Sequence, residues 1–291
     1  MTDMTDDMPK HEDEDENRLP RVALMGEFSA GKSTLTNLLL AADPLPVKIT
    51  ATRLPPVWIT LGEGAGLRED KEGQVHPLGP DGLNGVEMED TRLIQLQMQS
   101  DILHICDLVD MPGISDPNMD SSVWSGVINQ ADLVIWCTHA TQAWRQSEAA
   151  AFDGLPEHLQ KNAILLITRF DKLHSERDRK RVLARVKAET KGRFRAIFPV
   201  SLLDALASGK DRAKWDRSGA EPFLKALLEL LTNPDAVLAP DEPAQETPEP
   251  PKAEVRPITP VRPMRVKAAG QTTPRPGRPQ PSGRHGAVGH G

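Results

Sequence analysis

"RVALMGEFSAGKSTLTNLLL", residues 21–40, decides how this 291-residue chain folds. The five apolar-rich residues RVALM read as a strand, and KSTLTNLLL reads as a helix. Between them lies Gly26-Glu27-Phe28-Ser29-Ala30-Gly31-Lys32-Ser33, which fits G-x-x-x-x-G-K-[ST] and is followed by Thr34. A bare glycine turn before an exposed lysine would carry the same letters. The strand before and the helix after favour another reading: backbone N–H groups curl around phosphate oxygens, and the positive helix end adds to them. In that cradle Lys32 neutralises the outer phosphates and Ser33 offers its hydroxyl to Mg²⁺.

The same rhythm continues outward. VWITL (57–61), ILHICDLVD (102–110), DLVIWCT (132–138), AILLIT (163–168) and FRAIFPV (194–200) read as further strands. Their near-continuous hydrophobicity predicts cover on both faces, as in parallel sheets. Helices are expected at Lys32 to Ala42, around Ser121 to Gln130, at Ala143 to Asp153, Ser175 to Lys191 and Glu221 to Leu231. The predicted fold is α/β: a doubly wound, mostly parallel sheet flanked by helices, with ligands beyond the carboxyl ends of the strands. Residues 62–92 are glycine-rich and charged and read as an insertion, with REDKEGQV as a hairpin turn.

Three segments are expected: a disordered acidic arm (1–18), one globular domain (19–232) and a disordered proline-rich tail (233–291). The arm carries eight acidic residues against Lys10 and Arg18. The tail holds half of the 26 prolines and is acidic up to Glu254, then basic. Neither can bury enough apolar surface to offset its ordering entropy. A net charge of -7 gives no whole-chain signal for nucleic acid. No apolar segment resembles a signal peptide or a bilayer span. Cys106 and Cys137 sit in apolar runs and read as small buried hydrophobes. His104 and His139 read as satisfied histidines of buried strands. A reducing cytoplasm is the expected location, with the inner membrane face as a peripheral option through the basic tail.

Two further motifs complete the constellation. Asp110-Met111-Pro112-Gly113 places a carboxylate at the tip of a buried strand, where it can hold Mg²⁺ waters, while Gly113 leaves its amide free to approach a γ-phosphate. Thr168-Arg169-Phe170-Asp171 stands where guanine-nucleotide proteins place Asn/Thr-Lys-x-Asp. Asp171 would accept both the N1–H and the exocyclic N2–H of guanine, and the Arg169 stem would lie along the base. Ser201, after Pro199-Val200, fits the place where a backbone amide supports the base.

In order and spacing, GEFSAGKSTLTNLLL, ATRLPP, DMPG and TRFD resemble the GTPase domain of the dynamin-like family, over roughly residues 20–232. The resemblance implies a switch threonine that reaches Mg²⁺, Thr52 or its neighbour Thr50. It implies that Ser29 steadies transition-state charge, with a monovalent cation or a dimer partner. The catalytic set is then Ser29, Lys32 and Thr52, and the metal set Ser33, Thr52 and Asp110. The family's long stalk helices are not expected here. Ile114 stands where Ras-like enzymes carry a water-orienting glutamine, so slow basal GTP hydrolysis is expected. The alternatives are a GTP-binding scaffold with negligible turnover and an ATP-binding relative, since Arg169 departs from the specificity motif. The expected associations are GTP and GDP, a homodimer through the nucleotide face, and a protein or membrane surface on the tail. Nucleic acid is not expected. Arg145 reads as helix-start packing rather than a finger for a neighbour's nucleotide.

Overall fold

The computed structural model describes residues 18–41, 54–79, 82–86, 90–114 and 121–238. Among them run strands β1 (Arg21–Gly26), β2 (Val57–Leu61), β3 (Leu67–Asp70), β4 (Val75–Pro77), β5 (Thr91–Met98), β6 (Asp107–Asp110), β7 (Leu133–His139), β8 (Ala163–Thr168) and β9 (Ala196–Pro199). The helices are α1 (Lys32–Leu40), α2 (Ser121–Ile128), α3 (Gln146–Asp153), α4 (Glu157–Lys161), α5 (Glu176–Thr190), α6 (Leu202–Leu206), α7 (Arg212–Ser218) and α8 (Ala220–Thr232). The arm to residue 17, both candidate switch threonines and the tail from residue 239 lie outside the described residues.

All nine strands form one sheet in the order β4-β3-β5-β2-β6-β1-β7-β8-β9. From β6 to β9 every neighbouring pair is parallel, and β2 runs antiparallel to β6. The sheet is therefore mostly parallel, as expected. β1 lies between β6 and β7, so the chain winds outward in both directions from it, which opens a crevice at its carboxyl end.

Alternation of side chains across the strands divides the interior in two. Val22, Leu24, Ile135, Cys137, Ile164 and Leu166 face one core with Leu35 and Leu39 of α1 and Phe223 and Leu227 of α8. Ala23, Met25, Val134, Trp136, Leu165 and Ile167 face the other, with Phe152, Leu159 and Val186. Burial on both faces explains the unbroken apolar runs of β1, β7 and β8. The second core is knitted by edge-to-face aromatics: Trp136 lies 5.5 Å from Phe152, and Trp144 5.2 Å from Phe194. Such pairs contribute about 0.5–1.5 kcal/mol each beyond area burial.

Buried among them is the Glu148 carboxylate, which accepts hydrogen bonds from Trp136 Nε1 (3.2 Å), the Thr138 hydroxyl (3.0 Å) and the Arg145 amide (3.0 Å). Burial pushes its pKa up, and these three donors pull it down. Arg145 itself is exposed and directly precedes α3. We expect Glu148→Ala to cost about 2–3 kcal/mol by stranding the buried Trp136 and Thr138 donors and the Arg145 amide, a drop of roughly 4–12 °C in melting temperature. Thermal unfolding followed by near-ultraviolet circular dichroism checks this.

Four expectations need correction. ILHICDLVD is a strand only over Asp107–Asp110; its first half is a tight helical turn, Asp101–His104, that buries Leu103. An apolar run was read as a strand where a turn docks on the core. His104 is accordingly exposed rather than buried in a strand. The third predicted helix begins at Gln146, not Ala143, because Trp144 adopts φ 59° and breaks any helix there. The region between β2 and β6 holds a whole strand, β5, beside the β3–β4 hairpin whose turn falls in REDKEGQV. TRLIQLQM alternates polar and apolar residues because part of one face is exposed.

Candidate functional site

Gly26, Asp110, His139, Thr168 and Pro199 end neighbouring strands, so five carboxyl ends line one rim. The loop 27–31 joins β1 to α1 there. Two glycines set its course. Gly26 adopts φ +136°, and a Cβ on it would lie 2.1 Å from the Cys137 carbonyl oxygen. Only glycine lets the backbone turn so close to β7. A Cβ on Gly113 would lie 2.8 Å from the Phe28 amide nitrogen, so DMPG packs directly on the loop.

Lys32 is the pivot of the loop. Its Nζ, 8% exposed by residue, donates to the carbonyls of Gly26 (3.1 Å) and Glu27 (3.0 Å). Burial lowers its pKa, and nearby Asp110 raises it. Ser33 donates its hydroxyl to Asp110 Oδ2 at 3.0 Å, while buried Asp110 Oδ1 has no hydrogen-bond partner among the described residues. Burial pushes the Asp110 carboxyl up to about 6, against the pull of Lys32 and the Ser33 hydroxyl. A buried carboxylate with an open oxygen beside a serine hydroxyl suits a hard cation with oxygen ligands.

The Thr168–Asp171 segment braces the same loop. The Thr168 hydroxyl lies 2.7 Å from the Ala30 carbonyl and 3.1 Å from that of Thr138, fully buried. Arg169, at φ 51°, donates from its guanidinium to the Ser29 carbonyl at 2.9 Å. Thr168 and Arg169 thus hold two successive carbonyls of the loop. Asp171 is partly exposed; its Oδ1 lies 3.1 Å from the Ser201 hydroxyl and its Oδ2 3.5 Å from Lys172 Nζ. The Ser201 hydroxyl is also 2.7 Å from Asp204. Its amide donates to the Ser218 carbonyl at 2.8 Å, so the serine meets the site through its side chain.

The structure therefore brings Gly26 to Thr34, Asp110, Gly113, Thr168, Arg169, Asp171 and Ser201 to one rim. Thr52 falls outside the described residues. One contact was invisible in the sequence: the Ser147 hydroxyl at the start of α3 donates to Glu27 Oε1 at 2.8 Å. No spacing signals it, since the two residues are 120 positions apart. Phe28 protrudes from the loop, 53% exposed. The two cysteines are buried, and burial pushes their thiols up to about 12, away from the thiolate form. Among the described residues no helix is long and apolar enough to cross a membrane.

Comparison with known proteins agrees with this geometry. Dynamin-like protein 2 of Campylobacter jejuni is 25% identical over 222 residues, covering 72% of this chain and 35% of the relative. Two solved chains, described as an oligomerised bacterial dynamin pair that provides a mechanism for long-range sensing and tethering of membranes, superpose with TM-scores of 0.59 and 0.62. They are 19% and 20% identical, and cover 75% and 76% of this chain but 46% and 39% of their own. This chain thus spans less than half the length of these relatives. The fold is theirs, and the resemblance to dynamin-like GTPases holds. A family model described as 50S ribosome-binding GTPase matches residues 21–169, slightly more than half the chain, from the start of β1 through Arg169. With its phosphate loop, DMPG and the first two residues of TRFD inside that match, the chain belongs to this GTPase family.

Proposed function

We propose that this chain binds GTP with Mg²⁺ and hydrolyses it slowly to GDP and phosphate, as a dynamin-like switch whose turnover rises on dimerisation or on meeting a partner. The observation that carries this reading is the convergence of Lys32, the Ser33–Asp110 pair and Asp171 on one rim at the sheet's topological switch point. Lys32 and the loop amides would bind the phosphates, trading the carbonyls of Gly26 and Glu27 for phosphate oxygens. Ser33 would hold Mg²⁺ directly and Asp110 through water, with Thr52 completing the set; bound there, the ion neutralises charge on the outer phosphates. Asp171, steadied by Ser201 and Lys172, would select guanine. Chemistry is in-line attack of water on the γ-phosphate, aided by positioning and charge. Ile114 gives that water no polar side chain; its amide is spent on the Gly26 carbonyl at 3.2 Å. Slow turnover follows, with Ser29 available to a monovalent cation or to a second copy. A cytoplasmic location, peripheral at most to a membrane through the tail, fits the sequence.

Competition among nucleotides tests the reading. GTP should displace a fluorescent guanine analogue at least tenfold better than ATP. Asp171→Asn should weaken GTP at least tenfold and improve xanthosine triphosphate, whose 2-keto oxygen accepts from the new amide. Equal displacement by ATP and GTP would remove Asp171 from this role. Phosphate release per molecule should climb with protein concentration; a flat rate near zero would leave a nucleotide-binding scaffold.

A further inference from the structure

The chain carries a net charge of -7, yet residues 176–191, covering α5 and its cap, hold seven cations against three carboxylates. The carboxylates are already engaged along the helix. Glu176 pairs with Arg179 at 3.0 Å, the Asp178 carboxylate accepts from the Ser175 hydroxyl at 2.6 Å, and Glu189 lies 4.0 Å from Arg185. At 3.6 residues per turn, Arg177, Lys180, Arg181 and Lys187 fall within about 120° of arc, with only Ala184 and Ala188 between them. Lys191 continues the line at the helix end. All five are exposed, and among the described residues Arg177, Lys180, Arg181 and Lys191 have no ion-pair partner. The result is an outward stripe of like charge.

We infer that the chain's own acidic arm, residues 1–17, docks along this stripe. Charge complementarity carries the assignment: the arm holds Asp3, Asp6, Asp7, Glu12, Asp13, Glu14, Asp15 and Glu16 against the single Lys10. The attachment point fits as well. Arg18, where the described chain begins, is clamped on Asp132 by two hydrogen bonds of 2.6 and 2.9 Å. Arg18 and Arg195 line one shallow cavity of about 380 Å³, and Arg195 lies four residues beyond Lys191. The arm therefore leaves the domain beside the carboxyl end of α5. Seventeen residues reach up to about 55–60 Å when extended, and the 15-residue helix is roughly 22 Å long, so the arm can follow its whole length. Each exposed pair is weak, but tethering gives an effective concentration on the order of millimolar and lets many weak pairs act together. The docked arm shields the stripe from other polyanions.

Zero-length carbodiimide cross-linking of the full chain, read by peptide mass spectrometry, tests this. At about 10 mM salt, arm carboxylates should link to Lys180, Lys187 and Lys191 at least fivefold more than to exposed Lys71, Lys172, Lys210 or Lys225. The yield should hold on about 20-fold dilution and vanish near 1 M salt, where screening acts within about 3 Å. Arg177→Gln with Arg181→Gln, both at exposed positions, should cut the links severalfold without moving the melting temperature. Links spread evenly over all lysines, or formed mainly by the tail carboxylates Asp241, Glu242, Glu246 and Glu249, would overturn the assignment. Loss of the links on dilution would replace it with contact between copies. GTP binding is measured on the same sample, so failure here is separate from failure of the nucleotide reading.

Discussion

Lys32→Ala should weaken binding of a fluorescent GTP analogue in Mg²⁺ by two to three orders of magnitude. A charge-assisted hydrogen bond contributes about 1.5–3 kcal/mol, and this ammonium would meet more than one phosphate oxygen. The variant should still fold. Among the described residues the Lys32 Nζ donates to the carbonyls of Gly26 and Glu27, and removing a buried ammonium also removes its desolvation cost. A melting temperature within a few degrees of the parent's, together with lost affinity, is the expected pair of results. Unchanged affinity in a folded variant would end the nucleotide assignment.

Gly26→Ala should do the opposite and destroy the fold around the site. The added methyl would sit 2.1 Å from the Cys137 carbonyl oxygen, at a backbone φ of +136°. The obstruction is the backbone of a central strand, β7, which is hydrogen-bonded to β1 on one side and β8 on the other. Strain and clash together should cost about 4 kcal/mol or more, a loss of roughly 8–16 °C in melting temperature for a domain of this size. Gly79→Ala is the control, since its Cβ meets nothing within 4 Å, and it should melt within about 1–2 °C of the parent. Differential scanning calorimetry of the two variants reads both outcomes. Equal melting would mean that β7 can retreat from β1.

What the sequence disclosed follows from how locally each feature is encoded. The phosphate loop was legible because glycine, lysine and serine sit at fixed spacing between two apolar runs. Asp110 was legible because a carboxylate ending a buried strand is itself unusual. The β3–β4 hairpin showed through its polar turn. Strand β5 did not, since TRLIQLQM mixes polar and apolar residues on a partly exposed sheet. ILHIC misled because burial of Leu103 by a turn looks the same, letter by letter, as burial by a strand. Long-range contacts left no local mark at all. Neither the grip of Ser147 on Glu27 nor the contact of the Ser201 hydroxyl with Asp171 could be read without the placement of α3 and α6.

Arg18 on Asp132, and Arg195 on the carbonyls of Pro234 and Ala236, moor the chain where it joins and where it leaves the sheet. Both moorings lie at the amino ends of the strands, a strand's length from the phosphate loop. A small label attached directly at either mooring would therefore stand a strand's length from the phosphate loop.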